Sequence, residues 1–228
     1  ATVKPHATIP SVMAAAKAVL NESQIENGVA VVDLGGATTS VAVFEEGDLQ
    51  YVGVVSMGGV NITNDLAIGL KTDPEVAEKV KLQHSAAIAR SETRKVSIKH
   101  EKETLFFDQA EIDEIVEARL EEIFELVNKE LKKAGRAGQL PSGAVLTGGT
   151  ANLKGIAEYA KSQLGVAARV GKPHGFGGVA DEIDKPHFAA AVGLMLVDAE
   201  AATVRPHGGN TSKKSGGFIK TLLSKFKP

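Results

Sequence analysis

Residues 29–40 read VAVVDLGGATTS, and the fold turns on how they are understood. Val29, Ala30, Val31 and Val32 form a short continuous apolar run, which suits a strand buried on both faces. The run ends in Asp33, where an acidic group at a strand's exit can meet a metal ion or water. Gly35 and Gly36 lack Cβ, so the backbone there can reach φ > 0 and approach a ligand closely. Thr38 and Thr39 add hydroxyls, and the N–H groups of such a turn can cup an anion. Residues 39–44, TSVAVF, run out as a returning strand. A plain hairpin needs only two or three turn residues. The stretch DLGGATT is longer and chemically richer, and it predicts phosphate binding, now or ancestrally, in preference to a simple turn.

Composition sets the outer bounds. The chain has 228 residues, 43% hydrophobic and 24% charged, with a formal net charge of −2 and no cysteine. This size suits one large or two small domains. The near-neutral charge gives no reason to expect nucleic acid as a partner. Without cysteine there is neither a disulfide nor a thiolate metal site, which fits a reducing cytosol. No run approaches the eighteen or so consecutive apolar residues of a membrane-spanning helix. Residues 1–10, ATVKPHATIP, lack the apolar core of a signal peptide. The histidines at 6, 84, 100, 174, 187 and 207 show no ligand spacing and read as surface or structural.

Residues 11–20, SVMAAAKAVL, predict an alanine-rich helix that Ser11 can cap after Pro10. After the central strand and its loop, Glu46-Gly47-Asp48 turns the chain into a third strand over 49–57, closed by Gly58-Gly59. Three antiparallel strands joined by short turns are expected. Residues 61–70 read as a short helix. Asp73-Pro74 starts another, with Asp73 as cap and Pro74 at the first helical position. On it Glu78 and Lys81 stand one turn apart, and spacing alone reads them as a solvated pair. Residues 90–107 look like a smaller sheet, with KVSIK at 95–99 and TLFF at 104–107 as its strands. Asp108 caps a long helix, and Glu111 completes a capping-box-like pair. An apolar stripe runs along that helix from Ile112 to Leu131, and its charged face reads as solvated.

The sequence AVL at 144–146 is a second buried strand, running into a second glycine turn, Thr147-Gly148-Gly149-Thr150. In a chain of alternating strands and helices, the two glycine turns are expected to converge on one ligand. A helix over 152–164, a strand near 167–170 and a glycine-rich loop over 174–185 follow. A final helix over 188–198 contains Gly193, which permits close packing. Residues 199–217 predict a disordered linker. In residues 218–228, FIKTLLSKFKP, a 100° step per residue gathers Phe218, Ile219, Leu222, Leu223 and Phe226 on one arc. Lys220, Lys225 and Lys227 lie on the other side, as in an amphipathic helix.

The stretches VVDLGGATTSVAVFEEGDL, GGVNITNDLAIGLKTDPEVAEKVK, VEARLEEIFELV and AVLTGGTANLKGI, with AAAVGLM and the tail, carry a specific resemblance. In this order they resemble the C-terminal half of the bacterial cell-division family FtsA, of the actin-like ATPase superfamily. The resemblance implies an α/β, actin-like (ribonuclease-H-like) domain with a small inserted α+β subdomain and a C-terminal amphipathic helix. Residues 1–61 and 141–198 match the core subdomain and residues 62–140 the smaller one. Residues 199–217 match a linker and residues 218–228 a membrane-targeting helix.

Site roles follow from the same resemblance. Asp33 to Thr39 match the second phosphate loop, which assigns Gly35, Gly36, Thr38 and Thr39 to ATP. Asp33 takes the position that engages Mg through water and is the candidate catalytic group. Glu78 and Lys81 match the acidic-then-basic pair that holds the nucleoside, which replaces the solvated reading. Gly148, Gly149 and Thr150 match the adenosine motif. The smaller subdomain is where the family binds the C-terminal tail of the tubulin-like FtsZ, and Arg119 matches an arginine of that site. Phe218, Ile219, Leu222, Leu223 and Phe226, with Lys220, Lys225 and Lys227, match the segment that meets an anionic membrane surface.

Self-association into actin-like filaments, on the cytoplasmic face of the inner membrane at the division septum, is implied as well. The chain departs from the family pattern at Ala37 and Ser40, where glycine and aspartate are usual, and at Ser85, where glycine is common. The first phosphate loop and the opposite wall of the cleft belong to an N-terminal half with no counterpart in these residues. The expectation is therefore a membrane adaptor for FtsZ filaments with an ATP-binding half-cleft and no measurable ATPase activity. The alternatives are the C-terminal half of an active actin-like ATPase, or another actin-like assembly factor such as a pilus-system protein.

Overall fold

In a computed structural model that describes residues 8–88, 94–177 and 183–203, the run 29–32 lies in the middle of a five-stranded sheet. This strand, β1 (Val29–Leu34), pairs antiparallel with β2 (Thr39–Glu45), which pairs antiparallel with β3 (Asp48–Val55). On its other edge β1 pairs parallel with β6 (Ala144–Thr147), and β6 with β7 (Ala168–Val170). The order is β3-β2-β1-β6-β7. All four residues of the run are wholly buried, as a strand covered on both faces requires.

The strand's period of two sorts its residues between two apolar cores. Val29 and Val31 join Ala42, Phe44 and Val145 beneath α1 (Ser11–Val19) and α7 (Ala189–Thr203). Ala30, Val32 and Leu34 join Val41, Val43 and Leu146 on the opposite face. That second core is continuous with the apolar stripe of the long helix α5 (Gln109–Lys133), which brings Ile112, Val116, Leu120, Phe124 and Leu131. It reaches on into α3 (Gly59–Gly69), α4 (Pro74–His84) and a two-stranded sheet of β4 (Lys95–His100) and β5 (Glu103–Asp108). A last helix, α6 (Ile156–Leu164), follows β6 on the same side.

Several local expectations change. Residues 22–27 form a further helix, α2 (Glu22–Asn27), opened by a capping box in which Asn21 and Gln24 each bond the other's backbone. Pro10, not Ser11, stands at the cap of α1, and the Ser11 hydroxyl is turned to Asp33 instead. Asp73 sits at the cap of α4 with no side-chain cap bond, and Pro74 holds the first helical position with its φ already fixed. Asp108 accepts from Ala110 N–H as expected, but the structure shows no reciprocal bond from Glu111. The third strand ends at Val55, two residues early.

The final helix overruns its expected end at 198 and continues to Thr203, into the expected linker. Residues 199–203, AEAAT, are rich in helix-favouring alanine, and Glu200 reaches back to Lys17 at 2.6 Å. Gly193 gives the close packing expected of it, since a Cβ there would lie 1.7 Å from Ala14 O. The proposed amphipathic segment 218–228 lies outside the described residues.

Candidate functional site

Three glycine pairs meet at the end of the central strands. Leu34 pairs with Thr39, which leaves residues 35–38 as a hairpin loop closed by Gly35 N–H donating to Thr38 O at 3.0 Å. The connection is thus a hairpin after all. Neither Gly35 nor Gly36 takes φ > 0, against expectation, and Ala37 is not strained by lacking that freedom. What the glycines provide is close approach. A Cβ on Gly58 would lie 2.6 Å from Gly36 O. Because there is none, Gly59 N–H donates to Gly35 O at 2.9 Å and Val60 N–H to Gly36 O at 2.8 Å. From the other side Thr150 Oγ1 donates to Gly35 O at 3.1 Å. Gly148 takes φ +86, and a Cβ there would lie 2.4 Å from Leu34 O. The pair Gly58-Gly59 read in the sequence only as a strand's end; its likeness to the other two pairs was the available signal.

Glu78 and Lys81 are only partly solvated, with the Glu78 side chain 42% exposed. Their charged atoms lie 2.7 Å apart, and the Lys81 side chain is 13% exposed. Thr63 Oγ1 bonds both, at 2.5 Å to Glu78 Oε2 and 2.8 Å to Lys81 Nζ, and Lys81 Nζ also donates to Gly59 O at 3.1 Å. Burial pushes the Glu78 carboxyl up, but the hydrogen bonds from Lys81 and Thr63 outweigh it and hold the group below the usual carboxylate range. The pair is thereby tied to the glycine loops through α3. Gly36, Gly59, Glu78, Lys81, Gly149 and Thr150, with Ser85, Arg94 and residues 152–154, line a cleft of about 830 Å³. Cofactor sites typically occupy roughly 300–1,000 Å³.

Other expected site residues lie elsewhere. Thr39 is wholly buried and donates its hydroxyl to Met57 O at 2.9 Å, so it braces the sheet instead of facing a ligand. Thr38 stays exposed on the loop. Asp33 does not line the cleft. Its place in the strand sends the carboxyl to the side of α1. There burial raises its pKa, while the Thr147 and Ser11 hydroxyls pull it back. Thr147 Oγ1 has no hydrogen bond of normal geometry. Among the described residues no group of three His, Cys, Asp or Glu side chains is placed to hold a metal ion. The glycine loops and the Glu78–Lys81 pair along the cleft are groups that fit a nucleotide.

Arg119, the expected contact for an acidic tail, is held by carboxylates of its own chain. Its guanidinium forks onto Asp65, with Nε 2.5 Å from Oδ2 and Nη2 3.0 Å from Oδ1, while Nη1 lies 2.5 Å from Glu122. Met57 Sδ lies 3.8 Å away, and Ile68, one turn beyond Asp65, is 77% exposed. The membrane-facing candidates Phe218, Ile219, Lys220, Leu222, Leu223, Lys225, Phe226 and Lys227 lie outside the described residues.

The chain's likeness to known proteins points one way. Its fold resembles that of MreB5 of Spiroplasma citri bound to ADP, with a TM-score of 0.69 and 16% identity over 87% of this chain and 61% of that one. This shows an actin-like fold. It is 35% identical over 188 residues to cell division protein FtsA of Pseudomonas aeruginosa, covering 81% of this chain and 45% of that protein. It is 39% identical over 197 residues to FtsA of Bacillus subtilis, covering 85% of this chain and 43% of that protein. The chain thus spans about half the length of the curated relatives it matches. The family model for cell division protein FtsA matches residues 30–193. The chain belongs to the FtsA family of cell-division proteins.

Proposed function

We propose that this chain is an adaptor that tethers FtsZ filaments to the cytoplasmic membrane at the division site, and that its cleft holds ATP as a structural ligand. The observation that carries the nucleotide reading is the single bonded network joining Gly35, Gly59, Thr63, Glu78, Lys81 and Thr150 along one cleft. Backbone loops approach phosphates closely, and a carboxylate–ammonium pair offers both an acceptor and a donor to a sugar. Clamping a reacting phosphate needs fixed donors all round the developing charge. The cleft has Lys81 paired to Glu78, and Asp33 stands outside its lining. Binding without useful turnover follows.

In this reading residues 62–140 form the unit that takes the FtsZ tail, and residues 218–228 fold against anionic lipid. Ordering about ten residues opposes most of what burying five large apolar side chains yields, so one tail binds reversibly. Self-associated chains or FtsZ arrays bind firmly, because their tails share an effective concentration. Membership of the FtsA family favours this reading over a pilus-system role. Calorimetry with ATP·Mg and a phosphate-release assay test the cleft. Weak binding with negligible release is expected. Turnover near 1 s⁻¹, in the ordinary enzyme range, and lost in Asp33→Ala, would refute the adaptor reading.

A further inference from the structure

Asn27 is the one asparagine of the chain that a glycine follows. It is exposed, and it closes α2, a six-residue helix with no buried residue. A helix that short has little stability of its own, because nucleation is costly and few bonds repay it. In its last turn Gly28 N–H donates to Gln24 O at 3.2 Å, and Asn27 Nδ2 donates to Ser23 Oγ at 3.2 Å. Two more bonds tie the helix to the exposed turn between β2 and β3, from Glu46 N–H to Glu26 O at 3.0 Å and from Gly47 N–H to Ile25 O at 3.4 Å. The glycine at 28 is demanded by the fold. It takes φ +101, and a Cβ there would lie 3.2 Å from Pro141 Cδ. Its carbonyl accepts from Ser142 N–H at 2.9 Å, and Ala30 N–H donates to Gly143 O at 3.0 Å. Those bonds set where β1 and β6 begin side by side. The Asn27 amide therefore stays next to a backbone nitrogen that no side chain shields.

We infer that Asn27 is a site of spontaneous deamidation, gated by the opening of α2, and that its isoaspartyl product loosens the start of β1. When the last turn opens, which exposes no buried side chain of the helix, Gly28 N is released from Gln24 O and attacks Asn27 Cγ. The N–Cγ bond forms, the Gly28 amide proton passes through water to the departing amino group, and the Cγ–Nδ2 bond breaks as ammonia leaves. Water then opens the succinimide. Attack at Cγ gives aspartate. Attack at the backbone carbonyl of residue 27 gives isoaspartate, in which the main chain runs through Cβ and Cγ. Water is the co-reactant, and nothing is oxidised or reduced. Isoaspartate places one extra main-chain carbon directly before Gly28, where Pro141 and Ser142 hold the backbone closely. Either product adds a negative charge beside Glu26.

The full chain, Asn27→Gln and Asn21→Ala are held warm at mildly alkaline pH. Peptide mass mapping follows the change from amide to acid at each asparagine, and an isoaspartate-specific methyltransferase reports the rearranged product. The wild-type chain is expected to gain isoaspartate at position 27, and Asn27→Gln is expected to gain none there, because glutamine must close a larger ring. Asn21→Ala removes the side-chain bond to Gln24 N–H, at 2.9 Å, that caps α2. It is expected to speed conversion about fivefold, the shift that losing an N-cap gives to a helix opening. The isoaspartyl chain, separated by anion exchange, is expected to melt about 2–4 °C lower, as loss of one hydrogen bond does in a domain of this length. Asn27→Asp adds the charge without the extra carbon and is expected to melt with the wild type. An Asn27 that stays intact while the urea-unfolded chain converts would overturn the inference. An unchanged rate in Asn21→Ala would overturn the gating by α2. An isoaspartyl chain that melts with the wild type, or an Asn27→Asp chain that melts as low as the isoaspartyl one, would overturn the effect of the extra carbon on β1.

Discussion

Asp33 is caught between two requirements. Its backbone belongs to a strand buried on both faces, and its carboxyl is desolvated, with the Ser11 and Thr147 hydroxyls as partial compensation. A carboxyl whose folded pKa is raised costs stability wherever it is ionised. The cost is complete above the folded pKa and disappears as pH falls below the unfolded one. Asp33→Asn should therefore raise the melting temperature at pH 7 by on the order of 2–4 °C, the effect of about 1 kcal/mol in a domain of this length. The gain should shrink as the melts are repeated towards pH 3. Lys81→Met should weaken ATP·Mg binding about tenfold or more in calorimetry, since it removes a charged donor and strands Glu78.

At this scale the sequence was partly legible. The spacing of Glu78 and Lys81 was visible, but Thr63, which binds both, lies fifteen residues from Glu78 and adjoins it only through helix packing. Thr38 and Thr39 were both assigned to the ligand, although Thr39 already read as the first residue of the returning strand. The sheet register separates the exposed loop hydroxyl from the buried one that braces Met57.

Among the elements, α3 and α5 are pinned together by the fork of Arg119 on Asp65, both side chains about a quarter exposed or less. Such bidentate pairs fix geometry as well as adding energy. Asp65→Asn loosens this pin and frees part of the guanidinium. If Arg119 contributes to capture of an acidic FtsZ tail peptide, fluorescence polarisation should show tighter binding by Asp65→Asn and weaker binding by Arg119→Ala, although both variants melt lower. Parallel losses in both variants would mean that the pin, and not the charge, supports the site.

Element existence was readable wherever periodicity was strong, as in β1 and in the apolar stripe of α5. It failed for α2, six residues long with none buried, where the signal was a capping box and not an apolar face. It failed again at the end of α7, whose extra turns owe their place to alanine content and to the Lys17–Glu200 contact. Neither signal belongs to hydrophobic patterning.

Taken whole, the molecule hangs three glycine pairs and α4 on one end of a mixed sheet, with the carboxyl ends of β1 and β6 delivering Asp33-Leu34 and Thr147-Gly148 side by side. Open sheets with parallel strands place ligand sites at those strand ends, and the cleft lies there. The meeting of the two glycine turns was foreseeable, because each follows a buried strand. The contact between α3 and the first loop was missed, because it is made by backbone atoms and its one signal, the third glycine pair at 58–59, read as a strand's end.

What the chain joins together is tested most directly by flotation. FtsZ is mixed with liposomes containing anionic lipid, with and without this chain, in ATP·Mg. FtsZ is expected to rise with the liposomes only when the chain is present. Leu222→Glu should leave FtsZ at the bottom of the gradient while the melting temperature stays that of the wild-type chain. FtsZ that stays at the bottom with the wild-type chain, or that floats equally well with Leu222→Glu, would contradict the adaptor reading.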